Sequence, residues 1–253
     1  MESCKPSAFP MEQNCKLMMD IGSSYVDAGR YKRLVGRLLY LTVTRPDIVF
    51  AVNTLSKFVD APRDAHMEAA ERVLKYLKAT AGQCIMLKAS GEFCIEAYSD
   101  ADWGGCKMTR RSCTGYFISL GESPISWRSK KQSVVARSSA EAEFRAMATT
   151  VSEVLWLRWL LEDLQAPQKN PTTLYCDNQA AIHISMNPVF HERTKHVEMD
   201  CYFVREKVQA KEILTKKVAS ENQVADIFTK ALGKDRFKTL VDKLGIINLH
   251  APT

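Results

Sequence analysis

No stretch of this sequence is apolar for long enough to cross a bilayer. The most apolar run, Val154-Leu-Trp-Leu and on to Leu161, is interrupted by Arg158, whereas a spanning helix needs about 20 consecutive apolar residues; no membrane partner is expected. Cys-x-x-Cys pairs are also missing. The eight cysteines, at 4, 15, 84, 94, 106, 113, 176 and 201, follow no regular spacing and read as reduced thiols of an intracellular protein, cytoplasmic or nuclear. The opening MESCKPSAFPMEQNCK lacks an apolar core and carries Glu2 and Glu12, so neither a secretory signal nor an acid-poor transit peptide is expected. Internal repeats and low-complexity segments are absent. Charge of one sign is in short supply too: the excess of +6 is not gathered into a long block and by itself barely favours a polyanionic partner.

What is present divides by periodicity. Residues 1–28 show none and read as a flexible lead-in. From Arg30, Leu34, Leu38 and Leu41 recur at helical spacing. Arg45-Pro46-Asp47 then places proline in a first turn before Ile48, Val52 and Leu55, and a third helix follows Ala61-Pro62. Residues 29–81 are thus expected as a helical unit, too small to bury much by itself, and its leucines, valines and isoleucines predict a partly uncovered apolar face. At Gly82 the period becomes two. Strands are expected at 83–88, 93–100, 115–120 and 125–130, with a turn at Gly121-Glu-Ser-Pro. A long helix starts at Ser138-Ser-Ala-Glu141, a capping-box spacing, and runs to about Gln165, with Trp156 and Trp159 expected in core or helix contacts. A strand over 172–176, helices over 178–185 and 196–211, a strand over 213–218 and a last helix over 222–232 complete an α/β domain at 82–233. Residues 234–253 read as a tail.

Four acids fall at the ends or starts of these elements. Asp100 closes a strand in YSDADWGG, Glu143 lies in the first turns of the long helix, Asp177 follows the 172–176 strand, and Asp226 lies in the last helix. Carboxylates sharing one site repel, and some would take up protons unless cations intervene. Mg²⁺ suits hard oxygen ligands, and two ions about 3.5–4 Å apart clamp the attacking and leaving oxygens of a phosphodiester displacement.

The stretches YSDADWGG, RRSCTGY, SWRSKKQ, RSSAEAEFRAM, LYCDNQAA, TKHVEMD and ENQVADIFTKAL resemble the ribonuclease H domain of copia-type LTR retrotransposon Pol polyproteins. YKRLVGRLLYLTVTRPDIVFAVNTLSKF with AAERVLKYLKAT is similar to the thumb and connection region at the end of their reverse transcriptase. The resemblance covers nearly the whole chain. It implies a ribonuclease H-like five-stranded mixed sheet, order 3-2-1-4-5, flanked by helices. It also implies a metal-dependent endoribonuclease acting on the RNA strand of RNA/DNA hybrids, with two Mg²⁺ ions (Mn²⁺ as substitute) on Asp100, Glu143, Asp177 and Asp226. Asp102 is then a neighbour, and the remaining reverse transcriptase portion of the polyprotein a partner. Gln179 and Ser139 match positions that reach the nucleic acid by shape rather than sequence.

One departure concerns the loop before the last helix, where cellular relatives carry a histidine: residues 218–226 contain none, and His191 and His196 come too early to replace it. KMTRR at 107–111 and RSKK at 128–131, with Arg128 and Lys130, are expected in turns that could grip phosphates. Trp103 reads as packing. Two rival readings are a catalytically silent remnant that keeps the fold as a nucleic-acid-binding or protein-interaction module, and a fragment whose partner is the missing polymerase.

Overall fold

The two-residue period that begins after Gly82 divides between two sheets. The computed structural model describes residues 4–13, 15, 17–19, 22–89, 92–186 and 198–249, so His191 and His196 lie outside the described residues. The chain forms two compact units, Met1–Met86 with Lys230–Thr253, and Leu87–Thr229.

In the first unit, helices α1 (Ala28–Leu41), α2 (Val49–Ser56) and α3 (Asp64–Ala79) follow the apolar spacing of the sequence. Asp27 caps α1 by accepting from the Arg30 amide at 2.8 Å. Arg45 forks onto Asp47 at 2.9 and 2.7 Å, and the Tyr76 hydroxyl donates to the same carboxylate. All three side chains are buried, so removing one would strand a charge. Leu39, Tyr40 and Val43 are exposed, giving the helical unit apolar surface of the expected kind.

The 83–88 strand is shorter than expected and stands outside the main sheet: β1 (Gln83–Ile85) pairs antiparallel with β7 (Ile246–Asn248). Residues 234–253, read as a tail, carry instead α7 (Lys234–Lys243) and that partner strand. The α7 residues Phe237, Leu240 and Val241 are buried, with Phe237 edge-on to Tyr76 at 5.7 Å. A three-residue strand is too brief for its period to reveal which sheet it joins.

The second unit holds β2 (Ile95–Asp102), β3 (Cys113–Leu120), β4 (Ser123–Lys131), α4 (Ser139–Asp163), β5 (Thr172–Cys176), α5 (Gln179–Met186), α6 (Glu198–Gln209) and β6 (Ile213–Lys217). The sheet order is β4-β3-β2-β5-β6, which is the expected 3-2-1-4-5. β2 pairs antiparallel with β3 and parallel with β5. Ile95, Ala97, Tyr116, Ile118, Leu174 and Ile213 pack with Phe144, Met147, Val151 and Val154 of α4 in one apolar core. On the other face Phe117 stacks on Phe228 and Tyr98 on Tyr175.

Three expectations need correction here. Trp156 and Trp159 are 53% and 60% exposed. Val154–Leu161 is apolar at every position but Arg158, so periodicity could not choose between them and the buried Val154, Leu157 and Leu161. The helix expected at 222–232 is a pair of short 3-10 turns, Ser220–Asn222 and Val224–Phe228; all five residues of the second are buried, which leaves no polar side for an amphipathic helix. Arg128 and Lys130 lie on the edge strand β4 rather than in a turn.

Candidate active site

Asp100 and Asp177 reach the same end of the sheet through strand register. Tyr98 is paired with Tyr175 across the parallel strands β2 and β5, and each aspartate lies two residues further on. Carboxyl ends of parallel strands, where connections diverge, are the usual place for a crevice in such sheets.

Asp226 is brought to this end by a seat built into β3. Gly115, in register with Asp100, has no side chain to hold the Val224–Phe228 turn away. A Cβ there would fall 2.6 Å from Thr229 Cγ2, 2.9 Å from Phe228 Cβ and 3.0 Å from the Ala225 carbonyl oxygen. The turn is anchored by Gln223, whose Nε2 donates to the Ser99 carbonyl at 2.9 Å while its Oε1 accepts from the Ala225 amide. The Thr229 hydroxyl is hydrogen-bonded to Asp100 Oδ2 and lies 3.2 Å from the Asp226 carbonyl. Asp100 and Asp226 are 2% and 7% exposed.

Glu143 enters from α4. Ser138 caps that helix by accepting from the Glu141 amide at 3.2 Å, and Glu141 in turn accepts from the Arg137 amide at 2.7 Å, so the helix start at Ser139 is fixed four residues before Glu143. Ligating atoms of Glu143, Cys176 and Asp177 lie within 4.8 Å of one another. Asp100 and Asp226 do not belong to that tight set. Burial pushes the Cys176 thiol well above its ordinary range, and Glu143, Asp177 and Asp100 raise it further. Three of the four expected acids therefore lie near enough to act on one sulfur. Asp177 is half-buried and accepts from the Ser220 hydroxyl at 3.0 Å.

The other expected residues lie at the surface. Ser139 is the exposed first residue of α4, and Gln179, also exposed, opens α5 with its amide 3.1 Å from His183 Nε2. Arg128 and Lys130 are exposed on β4. Trp103 is 54% exposed and donates to the Ala136 carbonyl at 3.0 Å. Sequence reading missed Gly115, Gln223, Thr229, Ser220 and Cys176. Cys176 had a signal, since it directly precedes Asp177; the others show their part only once the 220–229 segment lies on the sheet.

No family model matches the sequence. The retrovirus-related Pol polyprotein from transposon RE1 of Arabidopsis thaliana is 42% identical over 246 residues, 97% of this chain and 17% of that polyprotein. That from transposon RE2 of the same plant is 42% identical over 249 residues, covering 98% of this chain and again 17% of the relative. Among solved structures, the N-terminal RNase H domain of a Mycobacterium tuberculosis protein superposes with a TM-score of 0.42 at 8% identity, covering 60% of this chain and 98% of that one. The chain thus spans less than a fifth of the length of these curated relatives, and from the sequence match and the strand order it belongs to the retrovirus-related Pol polyproteins of transposons, with a ribonuclease H-like sheet as its second unit.

Proposed function

We propose that the sheet unit is a metal-dependent endoribonuclease that hydrolyses the RNA strand of RNA/DNA hybrids. The observation that carries this reading is the seating of the Asp226 turn against Gly115 and Asp100, at the strand end where Glu143 and Asp177 meet around Cys176. A fold needs no such gathering of acid, and leaving it uncompensated costs stability.

The donors fit Mg²⁺, with Mn²⁺ as a substitute. Asp100, Glu143, Asp177 and Asp226 offer hard carboxylate oxygens, and the ligating atoms of Glu143 and Asp177 already lie within 4.8 Å of one another beside Cys176. Bound there, the ions would activate water and stabilise the leaving oxygen. The chain's own part is positioning. Thr229 orients Asp100, Ser220 orients Asp177, and the Gln223 anchor holds Asp226 in place. Ser139, Gln179, Arg128 and Lys130 would bind the hybrid along its backbone and 2′-hydroxyls without regard to sequence. We read the 29–81 helices as the thumb and connection part of a reverse transcriptase, whose remaining portion would be the partner.

The test is cleavage of a labelled RNA/DNA hybrid by the full chain, with Mg²⁺, with Mn²⁺ and with EDTA, beside duplex DNA and duplex RNA controls. Cleavage confined to the hybrid's RNA strand and abolished by EDTA is expected. A chain that binds the hybrid yet never cuts it with either ion would overturn the reading in favour of a silent nucleic-acid-binding module.

A further inference from the structure

The last third of α4 is apolar on two sides. Val154, Leu157 and Leu161 belong to the sheet core, which fixes the rotation of the helix. Trp156, Trp159, Leu160 and the C-cap Leu164 then come out towards solvent, 53%, 60%, 38% and 65% exposed. Their spacing of i, i+3, i+4 and i+8 sets them in one stripe, about 12 Å long at the helical rise.

The stripe is large for an uncovered surface. With ~250 Å² for a whole tryptophan, the two indoles alone leave roughly 280 Å² open, and the leucines bring the apolar total to about 400 Å², the size at which a patch on a monomer is often functional. A standard interface takes about 800 Å² from each partner, and in homodimers about 65% of it, or ~520 Å², is apolar. The stripe supplies some three-quarters of that apolar share, and the polar residues beside it would form the rim.

The sequence here also reads nearly alike in both directions. In Ser152-Glu-Val-Leu-Trp-Leu-Arg-Trp-Leu-Leu-Glu-Asp163, Trp156 mirrors Trp159, Val154 mirrors Leu161 and Glu153 mirrors Glu162. A two-fold axis across the helix, between residues 157 and 158, brings each residue level with its mirror in an antiparallel second copy. Each Trp156 then lies against Trp159 of the other helix, the reciprocal pattern of an isologous contact. Glu153 and Glu162 stand nine residues apart, about two and a half turns, so they occupy opposite rims and do not meet. The two copies of Asp163 would stand eleven residues apart, about 16 Å, which is twice the ~8 Å Debye length. Level with each Asp163 is the exposed Ser152 of the other copy.

We propose that this stripe is where two copies of the chain associate, α4 against α4, antiparallel about a two-fold axis. The inference is independent of the ribonuclease reading. The area fits a dimer, and the mirror order of the residues is what pairing with an identical helix requires; a partner of other sequence would make no use of it.

The experiment measures the weight-average mass of the full chain by sedimentation equilibrium, without nucleic acid, from about 1 to 100 µM, the range suited to an interface at the small end of the standard size. The parent should rise from 28.5 kDa towards 2 × 28.5 = 57.0 kDa. A Trp156→Gln/Trp159→Gln variant, checked for unchanged thermal unfolding, should stay at the lower mass. Ser152→Lys keeps both indoles and sets a cation level with Asp163 of the second copy. It should tighten the dimer about 2- to 10-fold through two exposed ion pairs, a gain that about 1 M salt removes. A parent that stays monomeric, a glutamine variant that dimerises like the parent, or a Ser152→Lys protein that dimerises no more tightly would each overturn the proposal. A monomeric parent that captures the separately produced polymerase portion of the polyprotein, with the glutamine variant failing to do so, would give the stripe to that partner instead.

Discussion

Gly115→Ala is the sharpest test of how Asp226 is brought to the site. The added methyl carbon would stand 2.6 Å from Thr229 Cγ2, where ordinary contact begins at 3.4 Å, so the two must separate by 3.4 − 2.6 = 0.8 Å. The second obstacle, Phe228 Cβ at 2.9 Å, requires 0.5 Å, and the third is backbone, the Ala225 carbonyl oxygen. Rotation of a side chain cannot relieve all three, so the whole Val224–Phe228 turn must lift from the sheet. Overpacking of this size costs about 1–3 kcal/mol. It also displaces Asp226 and loosens the Thr229 contact with Asp100, and a misplacement near 1 Å costs about 100-fold in rate. Urea denaturation should show a lower midpoint with an unchanged slope. Single-turnover cleavage of the hybrid should fall about 100-fold while hybrid binding in EDTA stays near the parent value. A Gly115→Ala protein as stable and as fast as the parent would refute the seat.

Asp177→Asn should cut hybrid cleavage by about 100- to 1,000-fold and leave metal-free unfolding unchanged or slightly harder, because it relieves repulsion among the remaining acids; parent-rate cleavage would remove Asp177 from the metal site. Thr229→Val takes a donor from buried Asp100 and should lower stability by about 1.5–3 kcal/mol, read by urea titration; a smaller loss than for a surface threonine control would count against that bond. Cys176 should resist iodoacetamide at pH 8.5 in the native protein while exposed Cys15 is labelled, as mass spectrometry would show. Because its thiol is raised above the ordinary 9.0 in the fold, the unfolded chain releases that proton first as pH rises past 9. Its contribution to stability is complete below that pH and declines above it, a decline that Cys176→Ala should lessen.

Much of the sheet was legible because alternation and turn residues mark strands one at a time, and the family motifs fixed their order. Ser138 and Glu141 announced the start of α4 through a local rule, and the structure keeps that start. The final turn was not legible: Asn222 to Leu232 carries helical spacing, yet burial on every side of Val224–Phe228 makes it a 3-10 turn on the sheet. For the candidate site, the identity of the acids came from motif resemblance, whereas the parts that seat them depend on contacts across more than 100 residues. Thr229 meets Asp100 and Gln223 meets Ser99; such pairs leave no periodic trace. Cys176 shows the reverse case, a residue directly beside a motif acid that the sequence marks only as one of eight irregularly spaced thiols.

The pairing of β1 with β7 has a consequence for synthesis. Residues Leu87–Thr229 form an insertion between two segments of the other unit, so the ribosome releases a complete sheet unit before it releases the last strand of the helical one. From Ile85 to Ile246 is 246 − 85 = 161 residues, which takes roughly 8–32 s at 5–20 residues per second. During that interval the first helices have emerged while the partner of β1 does not yet exist. The sheet unit, though later in the sequence, is thus the first able to finish folding, and the N-terminal helices must wait with apolar surface exposed to chaperones or to early aggregation.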